Sequence, residues 1–354
     1  MVTGRRIRVL VVDDSIMFRT AISKALEQDP QIEVVGSAFS AHSARDKILE
    51  LQPDVMTLDV EMPGMNGIEF LKLLIPQHPM PIIVVSAANG IVFEALQAGA
   101  VDFIAKPEAG DIENFSRELA SKIKIASIAR LVRRVRSEAS AANKEAAPVP
   151  LPLQIPTGGG EKSMLVAIGA STGGTEATSQ ILKVLPREMP GIVITQHMPP
   201  VFTRMYAERL NRESLLTVSE AKDGVFIQRG HVYVAPGDAH LQVARRGSEL
   251  VLKVGGTEKV SGHCPSVDVM FRSVGDVMGA RAVGILLTGM GADGAKGLFR
   301  MKETGAFTIG QDQQSSVVYG MPMEALKLGA VTRQASLEMI PSVLLNQLKI
   351  NSRL

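Results

Sequence analysis

The chain has little of what several function classes require. One cysteine among 354 residues excludes a disulfide framework and any cysteine-rich zinc site. Neither sign of charge is in marked excess: 38 Lys+Arg stand against 36 Asp+Glu, a formal net charge of +2. A chain devoted to nucleic acid carries a basic patch or stripe, and this balance argues against one. Long apolar runs are missing too, and none approaches the roughly 18 residues of a membrane helix. At the N-terminus Arg5, Arg6 and Arg8 lead into Val9–Val12, but Asp13 and Asp14 end that run. A secretory h-region needs about 7–15 apolar residues. The 32 glycines follow no collagen-like period, and no repeat of solenoid length occurs. The expectation is a soluble cytoplasmic protein, without membrane insertion and without a nucleic-acid partner.

What is present is ample apolar material, 45% of the residues, at a length that suits two domains of roughly 100–200 residues each. From Ser137 to Lys162 the sequence is rich in Ala, Pro and Gly, lacks aromatics and shows neither helical nor strand periodicity. Such composition reads as a linker with some stiff proline segments. On both sides of it, short β-branched runs alternate with amphipathic stretches, the pattern of parallel sheets with crossover helices. The first half offers strands at Ile7–Val12, Ile32–Ser37, Val55–Leu58, Ile82–Val85 and Val101–Ala105, with helices such as Ser15–Gln28 and Ala41–Leu51. The expected fold is α/β: a doubly wound five-stranded sheet over 5–125, a helix end and linker over 126–162, and a second doubly wound domain over 163–350.

Ligands on doubly wound sheets bind beyond the carboxyl ends of the strands. Polar residues stand there: Asp13 and Asp14 after the first strand, Asp59 after the third, Ser86 after the fourth and Lys106 after the fifth. Three carboxylates at one edge repel one another, and an all-oxygen donor set of this kind suits Mg²⁺. Asp14 or Ser15 could instead be a helix N-cap, an explanation that does not extend to all five positions. These segments, VVDDS at 11–15, LDVEMPGMNG at 58–67, VVSA at 84–87 and DFIAKP at 102–107, resemble a response-regulator receiver domain of flavodoxin-like fold. The resemblance implies that Asp59 is the phosphoacceptor and that Asp14, Asp59 and the backbone carbonyl of Glu61 hold Mg²⁺, with Asp13 acting through water. It also implies that Ser86 and Lys106 contact the phosphoryl group and that Phe103 occupies the aromatic switch position, where plain strand packing explains it equally well. Lys106–Pro107 is expected to be cis, since tight functional turns are where cis-proline survives.

In the second half, Met164–Ile168 leads through Gly169-Ala-Ser-Thr-Gly-Gly174 into a helical pattern at Thr175–Leu185. The G-x-S-x-G at 169–173 sets Ser171 on a sharp strand-to-helix turn, where helix-end N–H groups could stabilise an oxyanion. Alone the motif is weak. A dinucleotide pyrophosphate site would need G-x-G-x-x-G and an acid after the next strand, which ends instead in Gln196-His197; a P-loop would need Gly-Lys-Ser/Thr. A tight turn with an N-capping serine remains open. A nucleophilic serine needs a base and an orienter. His197 ends the strand after the one preceding Ser171, and Asp293 follows the buried run Val283–Leu287, so all three are expected at one sheet edge. His231 and His240 are candidates for structural roles, and His263 for a substrate contact. Cys264 as a nucleophile is disfavoured, because His263 cannot both orient itself and act as base.

The order Ser…His…Asp differs from that of α/β-hydrolases. The segments IGASTGG at 168–174, TQHMP at 195–199, VYVAPGD at 232–238, HCPSVDVMF at 263–271 and LLTGMGADGAKGL at 286–298 are similar to the catalytic domain of CheB-type chemotaxis methylesterases, which also carry an upstream receiver. That resemblance implies hydrolysis of glutamate γ-methyl esters on methyl-accepting chemotaxis receptors, with release of methanol, and deamidation of particular receptor glutamines. Ser171, His197 and Asp293 would form the triad, backbone N–H groups at Thr172 and Met290 would receive the oxyanion, and the catalytic domain would need no cofactor. A CheA-type histidine kinase is the implied phosphodonor. Packing of the unmodified receiver over the cleft, released on phosphorylation, is the expected control. A signalling adaptor with a retained fold and a receiver-controlled nucleotide-binding protein are the other readings.

Overall fold

The computed structural model describes residues 5–87, 91–107, 112–129 and 164–351; the linker expected at 137–162 lies outside them. The chain divides into two compact units near residue 131.

The first unit alternates β1 (Ile7–Val12), α1 (Ile16–Leu26), β2 (Ile32–Ala38), α2 (Ala41–Leu51), β3 (Val55–Asp59), α3 (Gly67–Gln77), β4 (Ile82–Ser86), α4 (Val92–Ala98), β5 (Asp102–Ala105) and α5 (Ile112–Ser127). Its sheet runs in the order β2-β1-β3-β4-β5. β3 and β4 are buried along their whole length, as strands covered by helices on both faces must be, which is why they read as continuous apolar runs. Ser15, Ser40 and Asn66 cap α1, α2 and α3 by accepting from the N–H groups of Phe18, Ser43 and Glu69. Ser15 thus takes the capping role and leaves Asp13 and Asp14 outside the helix. The Val12↔Leu58 and Asp59↔Val85 registers bring the ends of β1, β3 and β4 to one edge.

The second unit contains β6 (Leu165–Ala170), α6 (Gly174–Lys183), β7 (Gly191–Gln196), α7 (Phe202–Glu213), β8 (Thr217–Glu220), β9 (His231–Val234), β10 (His240–Arg246), β11 (Glu249–Gly255), α8 (Val267–Met278), β12 (Ala282–Leu286), α9 (Ala295–Glu303), β13 (Phe307–Gln311), α10 (Met321–Lys327), β14 (Arg333–Ala335) and α11 (Ile340–Asn351). Seven strands form a parallel sheet in the order β14-β13-β12-β6-β7-β9-β8. The order reverses at β6, so β7 and β12 flank it, and a crevice opens at their carboxyl ends. The unit also departs from pure alternation. β10 and β11 pair as a separate antiparallel hairpin, turned by Gly247 at φ 62°. Leu241, Val243, Leu250 and Leu252 of that hairpin join Phe271, Val274 and Leu286 in one apolar core.

Candidate active site

At the edge of the first unit, Asp13 and Asp59 are buried and Asp14 is exposed, with carboxylate oxygens of the three within 4.8 Å of one another. Lys106 bridges the two buried acids, its Nζ 2.6 Å from Oδ2 of Asp59 and 2.9 Å from Oδ2 of Asp13. The Glu61 N–H donates to Oδ1 of Asp59 at 3.0 Å, and the Ser15 N–H to Oδ1 of Asp13 at 2.9 Å. Burial pushes the Asp59 carboxyl above its ordinary value, and Asp13 adds to this against the opposing hydrogen bonds from Lys106 and Glu61. Burial also works against the Lys106 ammonium, but its hydrogen bonds to Asp59 and Asp13 prevail and raise it. With three carboxylates against one ammonium the pocket is short of positive charge, and its donor set is hard oxygen throughout, a fit for Mg²⁺.

Ser86 is buried at the end of β4, and its carbonyl accepts from the Lys106 N–H at 2.9 Å. Phe103 is buried against Phe93, ring centroids 6.5 Å apart. The Lys106–Pro107 bond is not cis. Among the described residues the cis peptide is Cys264–Pro265. Trans is the intrinsically favoured isomer of an X–Pro bond, by about 0.5–1 kcal/mol.

In the second unit, the Ala170↔Gln196 register and the bond from the His197 N–H to the Ala170 carbonyl, 3.1 Å, set Ser171 and His197 side by side past β6 and β7. Asp293 arrives from the loop after β12. Its Oδ2 lies 2.8 Å from Nε2 of His197. A carboxylate can only accept, so Nε2 carries a proton, and in the neutral ring Nδ1 is left as the acceptor. Nδ1 is buried with no hydrogen-bond partner among the described residues. That is the state required of a general base facing a hydroxyl.

Ser171 does not cap the helix that follows it. Gly173, at φ 79°, is the N-cap of α6, so the bland explanation of this serine does not hold. The turn is fixed from three sides. The Ser171 N–H donates to the Thr288 carbonyl at 3.0 Å, Gln196 Nε2 donates to the Ser171 carbonyl at 2.9 Å, and the Thr288 hydroxyl donates to the Thr172 carbonyl at 2.9 Å. A Cβ at Gly289 would stand 2.6 Å from Cβ of Ser171 and 2.4 Å from Sδ of Met321, so only glycine allows this approach. Thr172 is buried and Met290 is 41% exposed, on the two loops that border the serine.

Asp293 is held by more than its histidine. Oδ1 accepts from the Ser266 hydroxyl (2.8 Å) and the N–H groups of Asp268 (3.0 Å) and Gly294 (3.0 Å), and Oδ2 accepts also from the Val267 N–H (2.7 Å). Val267 and Asp268 open α8, so the carboxylate sits on that helix's unpaired N–H groups. Burial alone would raise its pKa, but His197 and these N–H groups outweigh that and hold it below the ordinary value. Cys264 differs in kind. Burial and Asp238 raise its thiol, which disfavours the thiolate a nucleophile needs.

Comparison with known proteins agrees over nearly the whole chain. The family model described as CheB methylesterase matches residues 166–344, and the response regulator receiver domain model matches 9–114. The protein-glutamate methylesterase/protein-glutamine glutaminase 2 of Syntrophomonas wolfei is 49% identical over 352 residues, which cover 97% of this chain and 99% of that one. The chain belongs to the CheB methylesterase family. A Pseudomonas aeruginosa CheB-family relative, also named protein-glutamate methylesterase/protein-glutamine glutaminase 2, is 45% identical over 96% of this chain and 97% of its own. The crystal structure of the Thermotoga maritima CheB methylesterase catalytic domain superposes with a TM-score of 0.51 at 36% identity, spanning 52% of this chain and 98% of that one.

For this CheB-family chain, sequence reasoning did not find Ser266, the α8 N–H groups, Gln196 or Gly289. The signal for the first two was present: Ser266 precedes the apolar run of α8 in the position of an N-cap, and it does cap Val269.

Proposed function

We propose that this chain is a phosphorylation-regulated protein-glutamate methylesterase and protein-glutamine glutaminase that acts on methyl-accepting chemotaxis receptors. The observation that carries the reading is the Asp293–His197 pair, with its unpartnered Nδ1, beside a serine that its own helix does not use. Ser171 Oγ attacks the side-chain carbonyl of a glutamate methyl ester while Nδ1 of His197 takes its proton. Asp293 holds the tautomer and stabilises the imidazolium. The oxyanion is received by the backbone N–H groups of Thr172 and Met290. Collapse breaks the bond to the methoxy oxygen, and His197 returns the proton to release methanol. Water then attacks the acyl-enzyme with His197 as base, freeing glutamate and Ser171. With a glutamine substrate the leaving group is ammonia and the steps are the same. The catalytic unit needs no cofactor for this chemistry.

In the receiver unit Asp59 is the phosphoacceptor, with a CheA-type histidine kinase as donor. Asp14, Asp59 and the Glu61 carbonyl would hold Mg²⁺, with Asp13 through water. When bound, the ion neutralises the acidic edge and the phosphoryl oxygens. Ser86 and Lys106 contact the phosphoryl group, and Phe103 is the switch residue. The unmodified receiver restrains the catalytic unit. The proposed domains are 5–125, 126–162 and 163–350, consistent with the end of α5 at Ser127. No helix among the described residues is long and apolar enough to cross a membrane, and the proposed place of action is the cytoplasm, without a nucleic-acid partner.

The test is methanol release from methylated receptor membranes by wild type and Ser171→Ala, with and without a small-molecule phosphodonor and Mg²⁺. Release that requires Ser171 and rises with the phosphodonor is expected. Release independent of the phosphodonor would refute the regulatory part. No release by the folded wild type would favour an adaptor that has kept the fold.

A further inference from the structure

The imidazole of His263 lies flat on that of His197, with ring centroids 3.7 Å apart and planes within 8° of parallel. The proton transfers proposed above leave His263 without a task. His197 is nevertheless incompletely fixed by its other partners. One hydrogen bond from Nε2 to Asp293 pins a point on the ring and not its plane. Rotation about the Cβ–Cγ bond, which would carry Nδ1 off the serine, is opposed by that hydrogen bond and by what packs on the two ring faces.

The segment that carries His263 is built to hold a ring in place. Val260 and His263 exchange backbone hydrogen bonds, 3.0 Å each, around Ser261 and Gly262, both left-handed at φ 53° and 85°. The Ser261 hydroxyl donates to Oδ2 of Asp268 at 2.9 Å, and Oδ1 of the same carboxylate accepts the Gly297 N–H from α9. His240 staples the two ends of the segment: its Nε2 bonds the Glu258 carbonyl at 2.7 Å and its Nδ1 accepts the Ser266 N–H at 3.1 Å. Ser266 in turn bonds Asp293. One continuous set of hydrogen bonds therefore positions the orienting carboxylate and the stacked ring together.

We propose that His263 is a positioning residue, whose flat ring lies across the face of His197 and fixes the plane in which Nδ1 meets Ser171. The proposal rests on the reading of His197 as the base. Burial and the neighbouring His197 push the His263 imidazole down to about 4, with Lys259 adding to that and Asp293 opposing it. At neutral pH the ring is uncharged and puts no second cation beside the imidazolium formed in turnover. It presents an aromatic face to that transient charge, an attractive arrangement.

The test compares His263→Phe and His263→Leu in the full chain, with Ser171→Ala alongside. Phe and Leu both fill the volume, but only Phe keeps a flat aromatic face. With methanol release as the readout, Leu is expected to lower kcat about 100-fold, the scale of a misplaced catalytic group. Phe is expected to stay within about tenfold of wild type, and KM to hold within about twofold in both, since ground-state binding is untouched. Far-UV circular dichroism melts confirm that both variants fold. Equal kcat for Phe and Leu, whether high or low, would overturn the clamp. So would a raised KM at preserved kcat, which would make His263 a substrate contact. Full turnover by Ser171→Ala would overturn the nucleophile and this proposal with it, whatever the result at His263.

Discussion

Replacing Asp293 by asparagine tests the site at its most constrained point. The carboxylate accepts five hydrogen bonds, two on Oδ2 from His197 and Val267 and three on Oδ1 from Ser266, Asp268 and Gly294. An amide has one acceptor oxygen and one NH₂ group. With the oxygen in place of Oδ1, the NH₂ meets the Val267 N–H and His197. One buried donor is then left unpaired, at about 1–3 kcal/mol, and His197 must accept at Nε2, which moves its proton to Nδ1. With the amide reversed, the His197 bond survives but the N–H groups of Asp268 and Gly294 both face a donor, about twice that cost. Ser266 can rotate its hydroxyl to accept and so does not discriminate. The first orientation is favoured by about 1–3 kcal/mol, a population ratio of roughly 5–150 at 1.4 kcal/mol per tenfold. Asp293→Asn therefore holds the wrong tautomer most of the time and also lacks the charge that stabilises the imidazolium. The expected fall in kcat is about 10⁴, the scale of the same change in a serine protease triad. Methanol release at saturating receptor measures it. Urea unfolding followed by far-UV circular dichroism, needed because the chain has no tryptophan, should show a loss of about 1–3 kcal/mol. A folded variant within tenfold of wild-type kcat would refute the tautomer argument.

Three further outcomes follow from other parts of the chain. Against burial, hydrogen bonds from Ser179, Arg209 and Lys183 hold Glu213 at about 2, down from 4.5. Its stabilisation is complete above 4.5 and fades as pH falls toward 2, so the urea midpoint of Glu213→Gln should lie well below wild type at pH 7 and approach it at pH 3; an unchanged gap would contradict this. Gly289→Ala forces a methyl group onto Ser171 and Met321 and should cost about 1–3 kcal/mol by overpacking, together with a drop in kcat, read by urea unfolding and methanol release; wild-type values in both would show that the loop yields. Asp59→Asn should remove the rise in methanol release on adding a phosphodonor, and a persisting rise would place the phosphoacceptor elsewhere.

How much of this was legible in the sequence depends on how local the cause is. The strands of the first unit stood out because Val55–Leu58 and Ile82–Val85 are buried on both faces, and each run stops at the polar residue that the edge needs. Ser171 and His197 were readable for the same reason, each directly after a buried run, and Asp293 as a member of the loop that follows β12. The β10–β11 hairpin was missed because its segments, interrupted by Gln242, Arg245 and Lys253, lack the continuous apolar runs of the buried parallel strands and no helix separates them. The Ser266, Val267 and Asp268 donors lie 25 to 27 positions from Asp293, and only the docking of α8 brings them there. The stacking of His263 on His197 depends on a hairpin-like loop secured by His240, a residue whose two ring nitrogens both bond within that loop. No spacing rule encodes such a contact.

The two carboxylate sites of this chain answer opposite requirements, and their hydrogen bonding reflects it. In the proposed mechanism Asp293 keeps its partner while His197 gains and loses a proton, and five donors, two of them N–H groups at the start of α8, hold its pKa below the ordinary value. As the proposed phosphoacceptor, Asp59 would be attacked, modified and restored, which a fully bonded carboxylate would resist. It has the Lys106 ammonium, shared with Asp13, and one N–H, and its pKa sits above the ordinary value. A site left short of positive charge gains by taking a cation, and a cation that binds only the folded state stabilises it by about 2.7 kcal/mol at 100 times its Kd. Mg²⁺ should therefore raise the melting temperature of the receiver transition in wild type. Asp14→Asn, which removes an exposed member of the cluster, should shrink that rise without lowering the metal-free melting temperature. A melting curve insensitive to Mg²⁺, or a rise unchanged in Asp14→Asn, would show that Lys106 alone satisfies the acidic edge.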